Sequence, residues 1–539
     1  MDVCWITLGL VVVFMCLLYT WSNSTYDHWA RRNVPFVKPV PFFGNMGGTV
    51  FRRASFTEHL QSLYLKLKEH KIGGIFEFRN PVMIVTDPDL LRDITVKNFD
   101  YFCDRRKIVG QETDRMFARG LPSLRGTKWR QMRNRLSPAF TTSKLRAMFP
   151  LIDKCGKQFA EFLMNRPEAE TAPLEFKGAF TRFTSDVIAT AAFGQECNAI
   201  EEPDNEFYKY AEGLTTFKGF RMMIIFLYMM CPKLMQFLGI PMIPSSATKF
   251  FTELVQNVKQ QREENDVVRP DMIQLLMAAQ KGEIKREHGD ELDGGRMGED
   301  EHAAALHKEH LASEKSDSDE TMTDEDIAAQ ALIFFFAGFD TVATALSFLA
   351  HELAVNPEVQ ERLRAEIDAS ISSNDGKLTY ESIQKMQYLD MVVSESLRKY
   401  PPAGLTDRTC VKNYKVPDSD IVIEEGTTVI IPMFPLQHDP EYFPDPERFD
   451  PDRFNEENRK NIRPYTYLPF GSGPHNCIGI RLALMEVKMC VCYILATSQL
   501  RVSAKTEIPL QLSKTTFQMT TDAGFWLCAI PRDEPSIDI

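Results

Sequence analysis

The side chain best suited to special chemistry lies in a short segment near the end of the chain. Residues 470–479 read Phe-Gly-Ser-Gly-Pro-His-Asn-Cys-Ile-Gly and contain one cysteine, Cys477. Glycines and a proline let the backbone turn tightly around one sulfur and aim amide N–H groups at it. Those donors, with the N-terminus of a following helix, favour a thiolate, which is the form of cysteine that binds metals. A lone cysteine among glycines can also be purely structural, so the rest of the chain decides.

A second polar site interrupts the longest helical pattern, at residues 324–351. Within it, Gly338 is followed by Asp340 and Thr341. A glycine in a helix interior costs roughly 1 kcal/mol relative to alanine, which suggests that another group approaches closely there. An Asp-Thr pair inside a core helix leaves two polar side chains that need partners. The pattern favours a functional role over simple packing.

Charged and aromatic residues at helical spacing complete the set of candidates. Glu395 and Arg398 lie one turn apart on a predicted helix, and Trp129 and Arg133 share one face of another. Alone, each pair is ordinary for a surface helix and contributes little to stability. A Pro-Glu-Arg-Phe sequence that contains Arg448 follows further along the chain.

These motifs, in the order in which they occur along the chain, resemble those of the cytochrome P450 superfamily. The resemblance extends over essentially the whole chain. The resemblance is strongest to its microsomal, xenobiotic-metabolising branch, and within that branch to insect family nine. It implies haem b as the cofactor, with Cys477 as the axial thiolate ligand of the iron. It also implies that Thr341 assists oxygen activation and that Asp340 belongs to the proton-delivery network.

The same resemblance assigns roles around the haem. The side chains implied to bind it are Trp129, Arg133, Arg408, Arg105, His475 and Phe470. His475 replaces the usual arginine two residues before the cysteine, and it is shorter and only partly charged at neutral pH, so how tightly it holds a propionate stays open. A buried triad that stabilises the scaffold beneath the haem is implied for Glu395, Arg398 and Arg448.

The activity implied is that of a haem-thiolate monooxygenase, which inserts one oxygen atom from O2 into a lipophilic small molecule. Electrons would come from NADPH through a membrane-bound cytochrome reductase, and cytochrome b5 is a further partner that the resemblance allows. The branch suggests xenobiotics such as plant toxins or insecticides as substrates, with an endogenous steroid or terpenoid hormone as the alternative. Asp340 and Thr341 argue against two other functions, a haem-thiolate isomerase and a haem protein that only sequesters ligands.

Two sets of residues are expected to meet these molecules. Substrate contacts, each of which could equally be core packing, are expected from residues 107–124, Phe334, Phe335, Ala337, 403–405 and 516–523. A basic surface that complements an acidic face of the reductase is expected from Arg130, Lys144, Arg481 and Lys488.

The N-terminal residues predict a membrane location. Residues 3–21 carry no charge and, at about 1.5 Å per residue, would span the roughly 30 Å hydrocarbon core as a helix. Asp2 precedes this run and basic residues follow it, which favours an uncleaved anchor with the rest of the chain in the cytosol. We therefore expect residues 1–22 to be a single transmembrane anchor in the endoplasmic reticulum membrane, and 23–49 to be a proline-rich connector.

Residues 50–539 are expected to form one large haem-binding domain with the cytochrome P450 fold, mainly α-helical with small β-sheets. Strands are predicted at residues 74–78 and 82–85, and further helices at 357–371 and 480–498. Short strands and proline-rich loops follow residue 401.

Two segments stand apart from this pattern. Residues 281–326 are charged and poor in apolar side chains, which predicts a flexible surface insertion. Solvated side chains, rather than metal ligands, are expected for its histidines, His302, His307 and His310. Residues 222–230 are almost wholly apolar and form either a core helix or a surface that dips into the membrane.

The overall composition restricts the partners and the compartment. The net charge of −12 gives no reason to expect nucleic-acid binding. The 11 cysteines are odd in number and none forms a CxxC pair, which is typical of reduced thiols facing the cytosol.

Overall fold

A computed structural model describes residues 2–538 except 108–109, 111–112, 167–171, 203, 216–219 and 284–321. Most of the predicted insertion at 281–326 therefore lies outside the described residues. The same holds for its three histidines, His302, His307 and His310.

Most of the described chain is helical, and one long helix lies at its centre. The helices are α1 (Asp2–Asn23), α2 (Gly47–Val50), α3 (Phe56–Leu67), α4 (Pro88–Arg92), α5 (Arg115–Arg119), α6 (Gly126–Leu136), α7 (Thr142–Met164), α8 (Phe176–Phe193), α9 (Glu206–Thr215), α10 (Phe220–Met230), α11 (Pro232–Phe237), α12 (Ser245–Asn265), α13 (Met272–Gln280), α14 (Asp324–Val355), α15 (Pro357–Ser372), α16 (Tyr380–Lys385), α17 (Gln387–Lys399), α18 (Met433–Gln437) and α19 (Ile480–Thr497). The helices predicted at 324–351, 357–371 and 480–498 are confirmed as α14, α15 and α19, with small changes at their ends.

The strands are short and form small sheets beside the helices. They are β1 (Ile72–Glu77), β2 (Asn80–Val85), β3 (Leu174–Glu175), β4 (Thr406–Thr409), β5 (Tyr414–Lys415), β6 (Val422–Ile423), β7 (Thr428–Ile431), β8 (Ser498–Val502) and β9 (Trp526–Pro531). The sheet orders are β1–β2–β7–β4, β3–β9–β8 and β5–β6. β1 and β2 form the predicted antiparallel hairpin, and β2 also pairs in parallel with β7. The predicted fold class, mainly α with small β-sheets, is confirmed.

The central helix α14 is apolar on nearly all sides because other helices surround it. Its start is fixed by a capping box, in which Thr323 and Asp326 bond to each other's backbone N–H groups. It packs most extensively on α8. A Cβ atom at Gly338 would lie 3.0 Å from Ile188 Cδ1 of α8, which confirms the close approach inferred from this glycine.

The N-terminal helix differs from α14 in its surroundings. Within Cys4–Asn23 the most apolar stretch of 18 residues has a mean hydropathy of 2.1 and none of it is buried, whereas the corresponding stretch of α14, with a mean hydropathy of 1.9, is 67% buried. The first is a candidate membrane anchor and the second is a core helix. All 11 cysteines lie among the described residues and are unpaired.

Candidate active site

One cavity in the helical body brings together residues that lie far apart in the sequence. It encloses about 380 Å³ and is lined by α14, by the loop before α19 and by the segment after α5. Cys477, Thr341 and Trp129 all line it, as does Phe470. Cys477 is exposed to this space although protein surrounds it. Ligand cavities of this size, lined mainly by apolar side chains, are typical of small-molecule and cofactor sites.

The loop that carries Cys477 turns as tightly as its glycines suggest. Gly471 and Gly473 have φ angles of 74° and 70°, a left-handed conformation that favours glycine. A Cβ atom at Gly473 would also collide with the carbonyl of Thr95. The Cys477 N–H donates to the Phe470 carbonyl at 2.9 Å, which closes the loop just before α19 begins.

Opposing electrostatic effects act on the pKa of Cys477. Burial raises the pKa of this thiol, whereas the Gly479 N–H and the positive charges of Arg133 and Arg105 lower it. The predicted effect of amide donors is therefore present but is outweighed by burial. A bound metal cation would favour the thiolate directly.

Two buried arginines have donors that the protein does not satisfy. Arg133 donates to the Asn476 carbonyl at 3.1 Å and to its side-chain Oδ1 at 2.7 Å. Arg408 is fully buried and donates to the carbonyls of Asp407 at 2.8 Å and Ser472 at 3.4 Å. The Nε atoms of both arginines are buried without a hydrogen-bond partner. Such orphaned donors indicate a missing acceptor.

The positive charges in this region are destabilised by desolvation. Burial, together with the nearby charge of Arg105, lowers the pKa of Arg133 to about 10 and that of Arg408 to about 9. Burial also lowers the pKa of Arg105, whose Nη2 donates to the His475 carbonyl at 3.1 Å. No acidic side chain occurs among the described residues that line the cavity. We call Arg105, Arg133 and Arg408 the arginine cluster.

His475 is neutral in this setting. Burial and the charges of Arg408 and Arg105 hold its pKa well below the ordinary value. Its Nε2 lies 2.7 Å from the Cys103 carbonyl, which can only accept, so Nε2 carries the ring proton and Nδ1 has none. The donation from His475 to a propionate stays a prediction, and it would require the bond to the Cys103 carbonyl to break. The ring packs on Trp129, with 3.8 Å between the ring centroids.

The two polar residues of α14 point in different directions. The Thr341 hydroxyl lies in the cavity and donates to the Ala337 carbonyl at 2.6 Å. Asp340 does not line the cavity. Lys177 of α8 donates to its Oδ1 at 2.8 Å, and Gln518 donates to its Oδ2 at 2.9 Å. Sequence reasoning missed Lys177 and Gln518, since nothing local marks them.

Two of the three residues predicted for the buried triad are found together. Arg398 donates to both carboxylate oxygens of Glu395, at 2.7 and 2.9 Å, and both side chains are fully buried. Arg448 is 72% exposed and lies 4.0 Å from Asp450, so its assignment is wrong. Arg453, which is 14% exposed, is the arginine whose Nε lies 3.4 Å from Glu395.

The physical reason for this error is a repeated motif. Residues 446–449 and 451–454 both read proline, acid, arginine, phenylalanine. The second copy forms a short helical turn against α17, the helix that carries Glu395, whereas Arg448 of the first copy faces solvent.

The predicted substrate contacts are partly met. Phe334 and Ala337 line the cavity, as do Leu121 and Pro122 from the segment 107–124 and Ala403 and Leu405 from 403–405. Phe335 does not: it is fully buried and packs on Phe251 with 4.6 Å between ring centroids, so its prediction is wrong. Residues 516–523 do not line the cavity either; their Gln518 bonds to Asp340, which itself lies outside the lining.

The predicted basic surface loses two of its four members. Lys488 is buried on α19 and pairs with Asp390, so it cannot contact a partner protein. Arg130 pairs with Asp100 and is largely covered. Lys144 and Arg481 are half-buried at the surface. Four basic residues in the sequence therefore reduce to two that clearly remain accessible.

Comparison with known proteins agrees with this geometry. The family model "Cytochrome P450" matches residues 34–528. Cytochrome P450 9e2 of Blattella germanica is 47% identical over 535 residues, covering 96% of each chain. Cytochrome P450 9c1 of Drosophila melanogaster is 40% identical over 540 residues, covering 98% of this chain and 99% of the relative. Cytochrome P450 6k1 of Blattella germanica is 35% identical over 519 residues, covering 96% and 95%.

A cysteine loop that faces a cavity beneath a long core helix defines a haem-thiolate monooxygenase, and the chain belongs to the cytochrome P450 family. The names of the first two relatives confirm the predicted resemblance to insect family nine. The family binds haem b through a cysteine thiolate. Haem b carries two propionates, which fit the orphaned Nε donors of Arg133 and Arg408 and the lack of any acid in the described cavity lining.

Proposed function

We propose that Cys477 is the thiolate ligand of haem b and that the cavity it lines is the oxygen-activating site. The observation that carries the proposal is the meeting of Cys477, Thr341 and members of the arginine cluster in a single cavity. When bound there, the haem supplies oxygen activation and the transfer of one oxygen atom to the substrate.

The arginine cluster and Trp129 would bind the haem propionates. Guanidinium groups bind carboxylates with two parallel hydrogen bonds, and the bond is stronger where water is excluded. His475 would act indirectly, because its bond to the Cys103 carbonyl and its packing on Trp129 hold the base of the loop in place. Glu395, Arg398 and Arg453 would hold the scaffold beneath without contacting the haem.

Thr341 and Asp340 would deliver protons to the cavity. The Thr341 hydroxyl is held on the Ala337 carbonyl, and rotation about its side-chain bond would present the proton to the cavity. Asp340 lies next in the chain and is 22% exposed, so it can exchange protons with solvent. Lys177 and Gln518 fix the direction of its carboxylate.

The substrate class that fits best is a lipophilic xenobiotic. The cavity above Cys477 is lined mainly by apolar side chains, including Leu121, Phe334 and Leu405. Delivery of such compounds fits an enzyme held at the endoplasmic reticulum membrane by residues 1–22, with its body in the cytosol. We propose NADPH–cytochrome reductase as the electron donor, with cytochrome b5 as a second donor. A steroid or terpenoid hormone is the alternative substrate.

Replacement of the ligand tests the core of the proposal. Cys477→Ser should abolish the thiolate-type carbon-monoxide difference spectrum of the reduced protein and all NADPH-dependent product formation. Cys528→Ser, a change of another buried cysteine on β9, is the matched control and should keep both. A thiolate-type spectrum that survives in Cys477→Ser would refute the assignment.

Substrate and electron donor need separate measurements. Turnover of a panel of plant toxins, insecticides, steroids and terpenoids, with reductase and NADPH, should reveal several lipophilic xenobiotics; a single reactive hormone would instead support the alternative. For docking, Lys144→Gln combined with Arg481→Gln should raise the KM for reductase and flatten its salt dependence. Lys249→Gln, an exposed lysine on α12, should change neither quantity.

A further inference from the structure

A second cavity lies at the turn of the hairpin formed by β1 and β2, where Phe78 lines it. It encloses about 590 Å³ and shares no lining residue with the cavity of Cys477. Its walls are apolar and come mainly from α10 and the turn between the two strands. The side chains that matter for the argument are Phe78, Met222, Phe226, Leu227, Met230 and Arg52.

Aromatic contacts join the separate parts of the chain that surround this cavity. Phe226 of α10 meets Phe78 of the hairpin edge to face, with 6.2 Å between ring centroids. On its other side, Phe226 packs on Phe517 at 5.0 Å. Residues 222–230 are thus not simply a core helix, because α10 forms one wall of a chamber and its Met223 is exposed.

The cavity lies beside the end of the candidate anchor. Arg79 follows Phe78 directly, and its guanidinium lies 3.8 Å from the centroid of the Trp21 ring at the end of α1. Arg79 Nη2 also donates to Ser24 Oγ at 2.9 Å. Tryptophan at the end of a membrane-spanning helix lies at the level of the lipid headgroups. The chamber therefore lies at the boundary between headgroups and acyl chains, provided that α1 is the anchor proposed above.

The flanks of the chamber are as apolar as its walls. Phe51 is 55% exposed, Met223 on α10 is 48% exposed and Phe237 on α11 is 85% exposed. Exposed apolar residues that cluster on a surface mark contact with a membrane or another protein, and these three lie on or next to the elements that form the chamber. Their position beside the end of α1 favours the membrane.

The charge at the chamber identifies the lipid class. Arg52 is the charged residue among the described lining; it is exposed, and no hydrogen bond or ion pair from its side chain is found among the described residues. A cation at the rim of an apolar chamber suits an amphiphile with an anionic head and a hydrocarbon chain. A zwitterionic choline head offers its phosphate together with a positive charge that Arg52 repels.

We infer that this chamber binds one acyl chain of an anionic membrane phospholipid, with the lipid phosphate on Arg52. The inference rests on the proposed anchor and on no feature of the haem site. It gives the enzyme a fixed lipid at the point where the body meets the bilayer, and it predicts a preference for anionic over zwitterionic membranes.

The test uses the full-length haem-loaded protein in phosphatidylcholine nanodiscs that contain a photoactivatable diazirine lipid. The probe is phosphatidylserine in one set and phosphatidylcholine in the other, and labelled peptides are mapped by mass spectrometry. The phosphatidylserine probe should label the peptide that covers residues 222–230 more strongly than the phosphatidylcholine probe. Arg52→Gln should lower that labelling about fivefold, the expected effect of one arginine near a lipid surface.

The matched control is Arg53→Gln, which removes the same charge from the adjacent residue; Arg53 is exposed like Arg52 but does not line the chamber. It should leave labelling of 222–230 unchanged. Equal labelling by both probes, or equal effects of Arg52→Gln and Arg53→Gln, would overturn the lipid site. Loss of label on addition of an oxidisable substrate would also overturn it, because the chamber would then hold substrate. Failure to label α1 itself would instead refute the anchor.

Discussion

Replacement of Arg453 by methionine should destabilise the protein far more than the same change at Arg448. Glu395 is fully buried and, besides Arg398, it receives the Asp450 N–H at 2.9 Å and the Arg453 charge at 3.4 Å. Removing one partner from a buried ionic group costs about 3–5 kcal/mol when no other partner remains. Arg398 remains here, so about half of that cost is expected.

Arg453 makes one further contact that methionine cannot. Its Nη2 donates to the Asp445 carbonyl at 2.9 Å, a bond that contributes about 1 kcal/mol. The expected loss in the free energy of unfolding is therefore about 2.5–3.5 kcal/mol for Arg453→Met. The contact of Arg448 with Asp450 is at 4.0 Å and solvent-exposed, so Arg448→Met should cost less than about 0.5 kcal/mol.

Urea titration of the haem-loaded protein, followed by the haem absorbance and by far-ultraviolet circular dichroism, measures both values. Arg453→Lys, which keeps the charge, should recover part of the loss. The assignment of the triad would be refuted if Arg448→Met were as costly as Arg453→Met, or if Arg453→Met left the urea midpoint unchanged.

Three further outcomes are expected. Lys177→Met removes one of the two side chains that fix the Asp340 carboxylate, and should lower the product formed per NADPH consumed by up to about fivefold at unchanged haem content. The surface change Lys154→Met should leave this yield unchanged. Equal yields for the two variants would exclude a positioning role for Lys177. Glu486 is buried with an unpartnered Oε2, and burial raises its pKa from 4.5 to about 8. As pH rises, Glu486 therefore ionises in the unfolded chain before it does in the folded one, and wild-type stability falls between about pH 4.5 and 8, by roughly 5 kcal/mol at most. Glu486→Gln should flatten this fall in the urea midpoint. Parallel curves for the variant and the wild type would contradict the burial argument. His475→Gln, which can still donate to the same carbonyl, should retain haem through gel filtration; haem loss would show that the imidazole itself holds a propionate.

The local motifs of the chain are sufficient to predict the site's central parts. The glycine-rich loop around Cys477 and the spacing of Trp129 and Arg133 depend on short-range geometry, which a sequence displays directly. The place of Gly338 on α14 is of the same kind, because a glycine inside an apolar helix weakens that helix unless a neighbouring element packs closely against it.

The wrong assignments share a different property, since each depends on which way a helix or turn faces. Phe334 and Phe335 are adjacent, so a rotation of about 100° along the helix sends one to the cavity and the other to the core. The charge of Lys488 suggests a surface residue, but the packing of α19 buries it. Lys177 and Gln518 reach Asp340 from distant parts of the chain, and no local pattern announces such a contact.

Three like charges lie close together at Arg105, Arg133 and Arg408, and at Arg408 the repulsion from Arg105 outweighs the attraction to Asp407. A cofactor that brings two carboxylates removes this repulsion and binds only the folded form. A ligand present at a thousand times its Kd stabilises the folded form by about 4 kcal/mol. Newly synthesised chains that meet haem late are then the ones that proteases remove. The cellular abundance of this enzyme should therefore follow porphyrin supply as well as transcription.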